Sequence, residues 1–524
     1  MSTATAPSLP EPGTLNPADL SPLSPVAQSS AEDVQAAVAA ARTAQLAWGA
    51  TSLDERCKLV LAFGRRIVEK RAEIGLVLSQ ETGRQVTECL MSEVVTAISF
   101  AKAAIRAGRN ALTVEKIKLS PLEFPGKKVI VEPVPRGVIG IIAPWNYPLG
   151  NFMKSLIPAL LAGNGVVLKP SEHTPRSGAL LASLCGEIFP KGLVQLVQGG
   201  GAVGAGLIDA GIDAVVFTGS VPTGKRVAQK AAERLIPCSV ELGGKDAAIV
   251  LADCHLERTV VGVTNWAIHN AGQNCAAIER VYVEDAIADK FVERLAKVVG
   301  QLRVAPQPEE GMADLGPMQN EAQLRIVEAH VEEAKLKGAK LLCGGARTGR
   351  GLGYQPTVLD RCDHTMRVVN EETFGPVIAV VRVRDAEEAI RLANDTRYGL
   401  NGSVWTANLE RGAELARRLV VGVALVNNHS VTGVMPETPW TGTRDTGFGV
   451  ASSRHAYPTF VRRRTVFIDS AKQPEPFWFP FNADMTVFAE KVAQMSLGSL
   501  GATLSLLGLI KKRVAAITKL ASGS

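Results

Sequence analysis

One cysteine of this chain lies in a setting that suits nucleophilic chemistry. Cys275 stands in the segment NAGQNCAAIER, residues 270–280, among small and polar neighbours. A free thiol has a pKa of ~8.5 and is mostly protonated at neutral pH, so a nucleophilic cysteine needs activation. Most intracellular cysteines are buried structural thiols, and that reading stays open for Cys275 taken alone.

A carboxylate and an amide could complete a site around such a thiol. Glu241 ends the apolar run CSVE, and two glycines follow it, so backbone can approach closely and a general base is well placed. A surface glutamate in a turn is the alternative. Asn146 follows the apolar run VIGII, and its side-chain NH2 could donate to an oxyanion. An asparagine in a proline-bounded turn would look the same.

Composition excludes several other classes. The 524 residues are 46% hydrophobic and 21% charged, which indicates a globular chain of two or three domains. The formal charge of +6 and the aromatic content of 5% are too low to predict a nucleic-acid partner. The eight cysteines form no Cys-x-x-Cys pair and the seven histidines are scattered, so we expect no metal site. The N-terminus has no apolar signal region, which favours a cytoplasmic location.

The elements that must position these residues alternate along the chain. Residues 1–30 are rich in proline and are predicted to form a flexible tail, with a helix from Ala31. After a strand-rich passage, apolar β-branched runs alternate with helical stretches, as at 166–169, 193–198, 214–217 and 247–251. A second alternating series extends from Arg280 to Val426. This pattern predicts an α/β fold with two doubly wound units in series.

The last 54 residues differ from the rest. Residues 492–510 carry no charge, and Lys511, Lys512 and Arg513 follow. A run of 19 residues is near the lower limit for a transmembrane helix. Apolar side chains also recur at helical spacing, which suits an amphipathic helix on a membrane surface. A helix docked on its own subunit or on a partner is the third interpretation.

Seven motifs occur together, in one order. They are PWNYP (144–148), KPSE (169–172), FTGSVPTG (217–224), ELGGK (241–245), GQNC (272–275), EETFGP (371–376) and PWTGTRDTGFG (439–449). On these motifs the sequence closely resembles the NAD(P)-dependent aldehyde dehydrogenase superfamily over residues 31–468. The resemblance implies that Cys275 attacks the aldehyde carbon, Asn146 holds the oxyanion and Glu241 activates the water that hydrolyses a thioester.

The resemblance also implies a set of cofactor-binding residues. These are Trp145, Lys169, Glu172, Gly219, Ser220, Gly224, Glu372 and Phe374. Gly219, Ser220 and Gly224 are expected at the turn into a helix from Thr223, whose amides suit a pyrophosphate. The acidic Glu172 would repel a 2′-phosphate, so NAD is expected rather than NADP. The GxGxxG pattern of Gly199, Gly201 and Gly204 lacks the acid that the ordinary dinucleotide motif needs, so we set it aside.

The substrate pocket departs from the family pattern. Pro-Phe-Gly-Gly is frequent in the family, and here Trp440 replaces the phenylalanine. Trp440 is expected to line the substrate mouth, and Tyr147 is expected to lie on another wall of the pocket. Lys154 is expected to face the tunnel or, alternatively, solvent. The sequence does not identify the aldehyde.

The resemblance divides the chain into a Rossmann-type cofactor domain, an α/β catalytic domain and a β oligomerisation arm. The expected ranges are 31–116 and 137–243 for the NAD-binding domain, 244–456 for the catalytic domain, 117–136 and 457–470 for the arm, and 471–524 for a C-terminal extension. A homodimer or homotetramer is implied. The extension makes a membrane surface a further candidate partner, which would place the enzyme at the inner membrane face.

Three rival functions stay open at this point. A dehydrogenase that passes the thioester to coenzyme A resembles this family but lacks the base that Glu241 supplies. A membrane-tethered scaffold of the same fold would not need Cys275, Glu241 and Asn146 together. A cysteine hydrolase would work without nicotinamide. The main prediction is an NAD-dependent aldehyde dehydrogenase.

Overall fold

A computed structural model describes residues 12–121, 123–304, 313–498 and 500–522. Its α-helices are α1 (Ala31–Ala50), α2 (Leu53–Glu69), α3 (Arg71–Thr82), α4 (Val86–Cys89), α5 (Ala97–Ala111), α6 (Gly150–Leu161), α7 (Pro175–Ile188), α8 (Gly201–Asp209), α9 (Val221–Glu233), α10 (Leu256–Ile268), α11 (Asp285–Val299), α12 (Glu321–Leu336), α13 (Arg367–Asn370), α14 (Ala386–Asn394), α15 (Leu409–Arg417), α16 (Ala483–Ser496) and α17 (Leu500–Ser522).

Three sheets are formed by its strands. These are β1 (Glu115–Ile117), β2 (Lys127–Pro135), β3 (Val138–Ile142), β4 (Gly165–Lys169), β5 (Val194–Leu196), β6 (Ala214–Gly219), β7 (Cys238–Leu242), β8 (Asp246–Val250), β9 (Ile278–Glu284), β10 (Lys340–Cys343), β11 (Thr357–Asp360), β12 (Val377–Val383), β13 (Asn401–Trp405), β14 (Val423–Val426), β15 (Gly447–Phe448) and β16 (Val461–Asp469). The described chain divides into two compact units, one of residues up to Thr113 with Val134–Arg462, the other of Val114–Pro133 with the residues from Arg463 on.

The first sheet of the larger unit has the strand order β15-β7-β6-β3-β4-β5. Its strands are parallel apart from the short β15, which pairs antiparallel with β7. Alternate residues of β3 enter different cores: Ile139 and Ile141 pack with residues of α2, α6 and α7, whereas Val138 and Ile142 pack with residues of α1, α8 and α9. The sheet is therefore covered by helices on both faces, which confirms the doubly wound prediction.

The second sheet has the order β10-β11-β12-β9-β8-β13-β14. Only the edge pair β10–β11 is antiparallel. The inner strand β8 is buried along its whole length. Because βαβ connections leave both faces under helices, the residues that follow Asp246 in this strand form an uninterrupted apolar run, AAIV, rather than an alternating one. The predicted boundary at 243/244 falls in the turn between β7 of the first sheet and β8 of the second.

The N-terminal segment is more ordered than predicted over its described part. Asn16 and Ala18 are buried, and the Pro17 carbonyl accepts from Leu352 N at 2.9 Å. Near its end Ser29 N donates to Gln198 O at 2.8 Å. Residues 12–30 are thus packed on the larger unit, and a flexible tail is the wrong description for them. Proline content excludes helix but does not exclude ordered extended chain. Helix α1 does begin at Ala31, where Ser30 and Asp33 form a capping box.

The smaller unit contains most of a three-stranded sheet of order β1-β2-β16 and the helical hairpin of α16 and α17. Strand β16 lies within residues 457–470, the second segment expected for the arm. Lys127 pairs with Asp469 at 2.6 Å and with Glu475, and Arg464 pairs with Glu132 at 2.7 Å. These ion pairs join the strands to one another and to the segment that follows β16.

The uncharged run 492–510 is not one helix. Helix α16 ends at Ser496, and Gly498 has a φ of +84°, a left-handed conformation that glycine adopts without strain. Among the described residues, no helix is both long and apolar enough to cross a bilayer.

Candidate active site

The structure brings together the three residues that the sequence nominated for chemistry. Asn146 lies beyond the carboxyl end of β3, Glu241 is the penultimate residue of β7, and Cys275 stands in the loop before β9. The Glu241 carboxylate is near enough to the Cys275 thiol for its charge to raise the pKa of the thiol, and the thiol itself donates to Asn274 Oδ1 at 3.7 Å. The Asn146 Nδ2 donates to the carbonyl of Gln273, two residues before the cysteine, at 3.1 Å. One amide hydrogen remains for an oxyanion, because an asparagine NH2 carries two.

The charge state of Cys275 depends on its neighbours. Burial raises the pKa of the thiol well above its usual value, and the negative charge of Glu241 raises it further. Lys154 acts in the opposite direction and lowers this pKa. The resting thiol is therefore protonated, and it must lose its proton before it can act as a nucleophile.

The loop before Cys275 is held in an unusual conformation. Asn270 and Ala271 have φ values of 56° and 52°, in the left-handed region. A Cβ on Gly272 would lie 2.1 Å from the Gly375 carbonyl, so only glycine fits there. The Asn270 Nδ2 bonds both the Asn146 carbonyl at 3.0 Å and the Gln273 carbonyl at 3.1 Å, and Asn270 N donates to Glu88 at 2.7 Å.

Asn270 and Glu88 were missed by the sequence analysis. An asparagine before Ala-Gly is a signal for left-handed backbone and could have identified the first. Nothing near Glu88 in the sequence indicates a contact across 182 positions.

The three predicted substrate residues lie on two sides of the site. Trp440 and Lys154 line a small cavity together with Glu241, with a volume of about 20 Å³. The Lys154 Nζ stands 5.0 Å from the centre of the Trp440 ring, and the Trp440 Nε1 donates to Glu241 Oε1 at 3.2 Å. Tyr147 lies apart from this cavity, and its hydroxyl bonds the Nδ1 of His269 at 3.1 Å.

One group of predicted cofactor residues lies at the ends of β4 and β6, two parallel strands of the first sheet. Lys169 is the last residue of β4, and its buried ammonium pairs with Glu172 at 3.5 Å. Burial lowers the pKa of Lys169. Gly219 is the last residue of β6, and Ser220 is the N-cap residue of α9. The helix begins at Val221, two residues earlier than predicted. Gly224 therefore lies in the first turn of the helix, where its missing Cβ leaves room for Leu242.

A second group of predicted cofactor residues lies on the loop before β12. The Glu372 carboxylate is buried and accepts from Gly244 N at 3.1 Å. Burial raises the pKa of Glu372 to about 8, with a further contribution from the charge of Glu279. Phe374 and Trp145 meet edge to face with ring centres 5.4 Å apart.

A buried ion pair of Lys245 with Glu279 supports this loop, and the sequence analysis missed it. Glu279 accepts from the backbone N–H groups of Thr373 at 2.8 Å and Phe374 at 2.9 Å. Lys245 also donates to Thr373 Oγ1 at 3.0 Å. The ion pair therefore holds the backbone at Thr373 and Phe374 in place.

These residues fit a nicotinamide dinucleotide. The carboxylates of Glu172 and Glu372 suit ribose hydroxyls, and the N-terminus of the 13-residue helix α9 suits a pyrophosphate. The Glu372 carboxylate occupies the space beside Gly243, where a Cβ would lie 2.2 Å from it. All of these groups lie at the carboxyl ends of parallel strands or in the loops facing them, where open α/β sheets bind their ligands.

Comparison with known proteins supports the same conclusion. A sequence model described as the Aldehyde dehydrogenase family matches residues 8–466. The chain is 36% identical over 452 residues to "4,4'-diapolycopene aldehyde oxidase" of Methylomonas sp, covering 86% of this chain and 84% of the relative. It is 38% identical over 410 residues to "Putative succinate-semialdehyde dehydrogenase [NADP(+)] 2" of Mycobacterium ulcerans, covering 78% of each.

Solved structures agree with these relatives. The crystal structure of Mycobacterium tuberculosis aldehyde dehydrogenase complexed with NAD+ superposes with a TM-score of 0.82 at 32% sequence identity, over 88% of this chain and 95% of that one. Fold and comparisons together define a nicotinamide-dependent oxidoreductase that acts on aldehydes. The chain belongs to the aldehyde dehydrogenase family. It is a nicotinamide-dependent enzyme that oxidises an aldehyde to the carboxylate.

Proposed function

We propose that Cys275, Glu241 and Asn146 carry out this oxidation. Cys275 loses its proton to solvent and adds as the thiolate to the aldehyde carbon, forming a C–S bond while the carbonyl oxygen becomes an oxyanion. The free N–H of Asn146 and the backbone N–H of Cys275 donate to that oxygen, which stabilises charge where it develops. When bound, NAD accepts a hydride from the same carbon.

The thioester that remains on Cys275 is then hydrolysed. Glu241 takes a proton from water, whose oxygen attacks the acyl carbon. The C–S bond breaks to release the carboxylate, and the proton on Glu241 passes to the departing Cys275 thiolate. The observation that carries this proposal is the convergence of thiol, carboxylate and amide described above. The same convergence argues against a scaffold, and Glu241 argues against transfer to coenzyme A.

We further propose that NAD is held by the residues that the sequence nominated. Lys169 and Glu172 would contact the adenosine ribose, and the first turn of α9 with Gly219, Ser220 and Gly224 the pyrophosphate. Glu372, Phe374 and Trp145 would surround the nicotinamide end. Because Glu172 is an acid, we propose a preference for NAD over NADP, although one relative is named for NADP.

The substrate-side residues in this proposal are Tyr147, Lys154 and Trp440. Two relatives are named for very different aldehydes, a diapolycopene aldehyde and succinate semialdehyde. The ammonium of Lys154 beside the site favours substrates with an anionic group, since it is half-buried and faces the cavity next to Glu241.

The test is NADH formation by the purified protein with short, long-chain, aromatic and semialdehyde substrates, with and without coenzyme A. Turnover without coenzyme A is expected, and Cys275→Ser and Glu241→Gln should each abolish it. NADH that appears only with coenzyme A would instead establish an acylating dehydrogenase. If both variants kept the turnover of the parent, that result would contradict the roles proposed here.

We propose that the smaller unit makes the contacts of the enzyme with partner subunits and with a membrane surface. We propose that the arm, 117–136 with 457–470, joins a cytoplasmic homodimer or homotetramer. We also propose that residues 471–524 contact an anionic membrane surface. Four aromatic side chains are exposed there, Phe477, Trp478, Phe479 and Phe481. Helix α17 carries the exposed lysines 511, 512 and 519 and no acid. Aromatic and basic groups together suit a lipid interface.

Sedimentation with liposomes tests the membrane contact. The full chain should sediment with vesicles that contain anionic lipid, and a chain lacking residues 471–524 should not. Equal partitioning of both chains would contradict the proposal. Size measurement of the same two chains reports whether the extension takes part in assembly.

A further inference from the structure

The proposed base Glu241 has a side-chain partner that the chemistry above does not use. The indole Nε1 of Trp440 donates to Glu241 Oε1 at 3.2 Å. Trp440 is 3% exposed, so water competes little for this hydrogen bond. The aldehyde dehydrogenases that this sequence resembles often have phenylalanine at this place, and phenylalanine has no N–H to donate.

One segment holds both the backbone and the side chain of Glu241. Strand β15 pairs antiparallel with β7, and Gly447 lies opposite Glu241. Seven residues earlier, Trp440 exchanges two backbone hydrogen bonds of 2.8 Å with Ala451. The loop from 440 to 451 is therefore closed on itself while its strand is joined to β7, and the position of the indole relative to Glu241 is fixed.

The Trp440 ring itself is enclosed between two neighbours. The Lys154 Nζ stands 5.0 Å from the centre of the ring. A Cβ added to Gly433 would come within 3.3 Å of the same ring, so the backbone at Gly433 lies close against it. Because the ring has little room to turn, its N–H stays directed at the carboxylate.

We propose that Trp440 is a positioning residue for Glu241, holding the carboxylate beside Cys275 for hydrolysis of the thioester. The inference rests on the proposed role of Glu241 as the base. A carboxylate on a flexible side chain has several rotamers, and only those near the acyl carbon can activate a water there. The hydrogen bond from Trp440 selects among them.

The test is Trp440→Phe, which keeps a ring in the site and removes the N–H. Hydrolysis of the acyl-enzyme should slow about tenfold, the effect of one hydrogen bond to a charged group. With aldehyde at saturation, so that any change in substrate binding does not contribute, formation of the acyl-enzyme, seen as a rapid burst of NADH of one equivalent per site, should stay within about twofold of the parent. A purely structural role would instead lower both steps together.

Trp405→Phe is the matched control. Trp405 is also buried, and its Nε1 donates to Ser403 Oγ at 3.0 Å, away from Glu241. This variant should leave both steps unchanged. If Trp440→Phe does not fold, benzothienylalanine at position 440 removes the same N–H and keeps the shape of the indole.

Three outcomes separate the inference from the function on which it rests. Slow hydrolysis with an intact burst in Trp440→Phe, together with blocked hydrolysis in Glu241→Gln, supports the inference. Parental hydrolysis in Trp440→Phe with blocked hydrolysis in Glu241→Gln overturns the inference and leaves the base in place. Parental hydrolysis in Glu241→Gln overturns the base and the inference with it.

Discussion

Cys275 is surrounded by charges of both signs, and these set when its thiolate forms. Burial and Glu241 raise the pKa of the thiol, whereas Lys154 lowers it. The sequence could predict the thiol, the carboxylate and the amide, because each stands in a distinctive local motif. It could not predict that Asn270 and Glu88 hold the loop, since those contacts join positions far apart in the chain.

Removing the charge of Lys154 should therefore delay ionisation of Cys275. In Lys154→Met the pKa of the thiol should rise further, because the thiolate loses a nearby cation. The thiolate would then form only at higher pH than in the parent. The pH dependence of alkylation by iodoacetamide measures this shift, with Cys275→Ser reporting the reaction of the other cysteines. Lys191→Met, at an exposed position, is the matched control, and an equal midpoint in both variants would contradict the account.

At the scale of elements, the turn between β7 and β8 connects the two large sheets and shapes the nicotinamide end of the site. Gly243 and Gly244 form this turn, and Glu372 packs against both. Strand positions were predicted to within a few residues, because apolar β-branched runs mark buried parallel strands. The start of α9 and the break at Gly498 were not, because capping and left-handed turns depend on single residues rather than on periodicity.

A side chain at Gly243 should displace Glu372. A Cβ at that position would lie 2.2 Å from the carboxylate, so Gly243→Ala should weaken NAD binding about tenfold, or roughly 1.4 kcal/mol. Calorimetric titration with NAD measures the change. Gly186→Ala in α7 is the matched control, because its Cβ would meet no atom within 4 Å. Equal NAD affinity in the two variants would count against Glu372 as a cofactor residue.

At the scale of the whole molecule, the described chain divides into two compact units. Every proposed catalytic and cofactor residue lies in the larger unit. In the smaller unit Arg513 is fully buried, and it donates to Pro476 O at 3.0 Å, Asn482 Oδ1 at 3.0 Å and Trp478 O at 2.6 Å. This burial could not be predicted, because Lys511, Lys512 and Arg513 look alike in the sequence as a basic run. Only the fold of the hairpin buries one of the three.

Loss of Arg513 should release the aromatic segment that it holds. In Arg513→Leu three oxygen acceptors lose their donor, so cleavage by protease within residues 472–482 should become at least about tenfold faster. Aldehyde oxidation should stay close to the parent rate, because no proposed site residue is touched. Limited proteolysis followed by mass spectrometry measures this. Lys512 is an exposed neighbour, and Lys512→Leu should be cleaved as slowly as the parent. Similar cleavage rates for the two variants would contradict the claim that Arg513 holds the aromatic segment.

The central claim is that Cys275 carries the acyl group and Glu241 directs its hydrolysis. The most direct measurement is intact and peptide mass spectrometry of Glu241→Gln after one addition of NAD and of an aldehyde that the parent enzyme oxidises. The account predicts one NADH per site, then an acyl group that persists on the peptide containing Cys275. An adduct on another residue, or an acyl group that disappears as fast as in the parent, would contradict it.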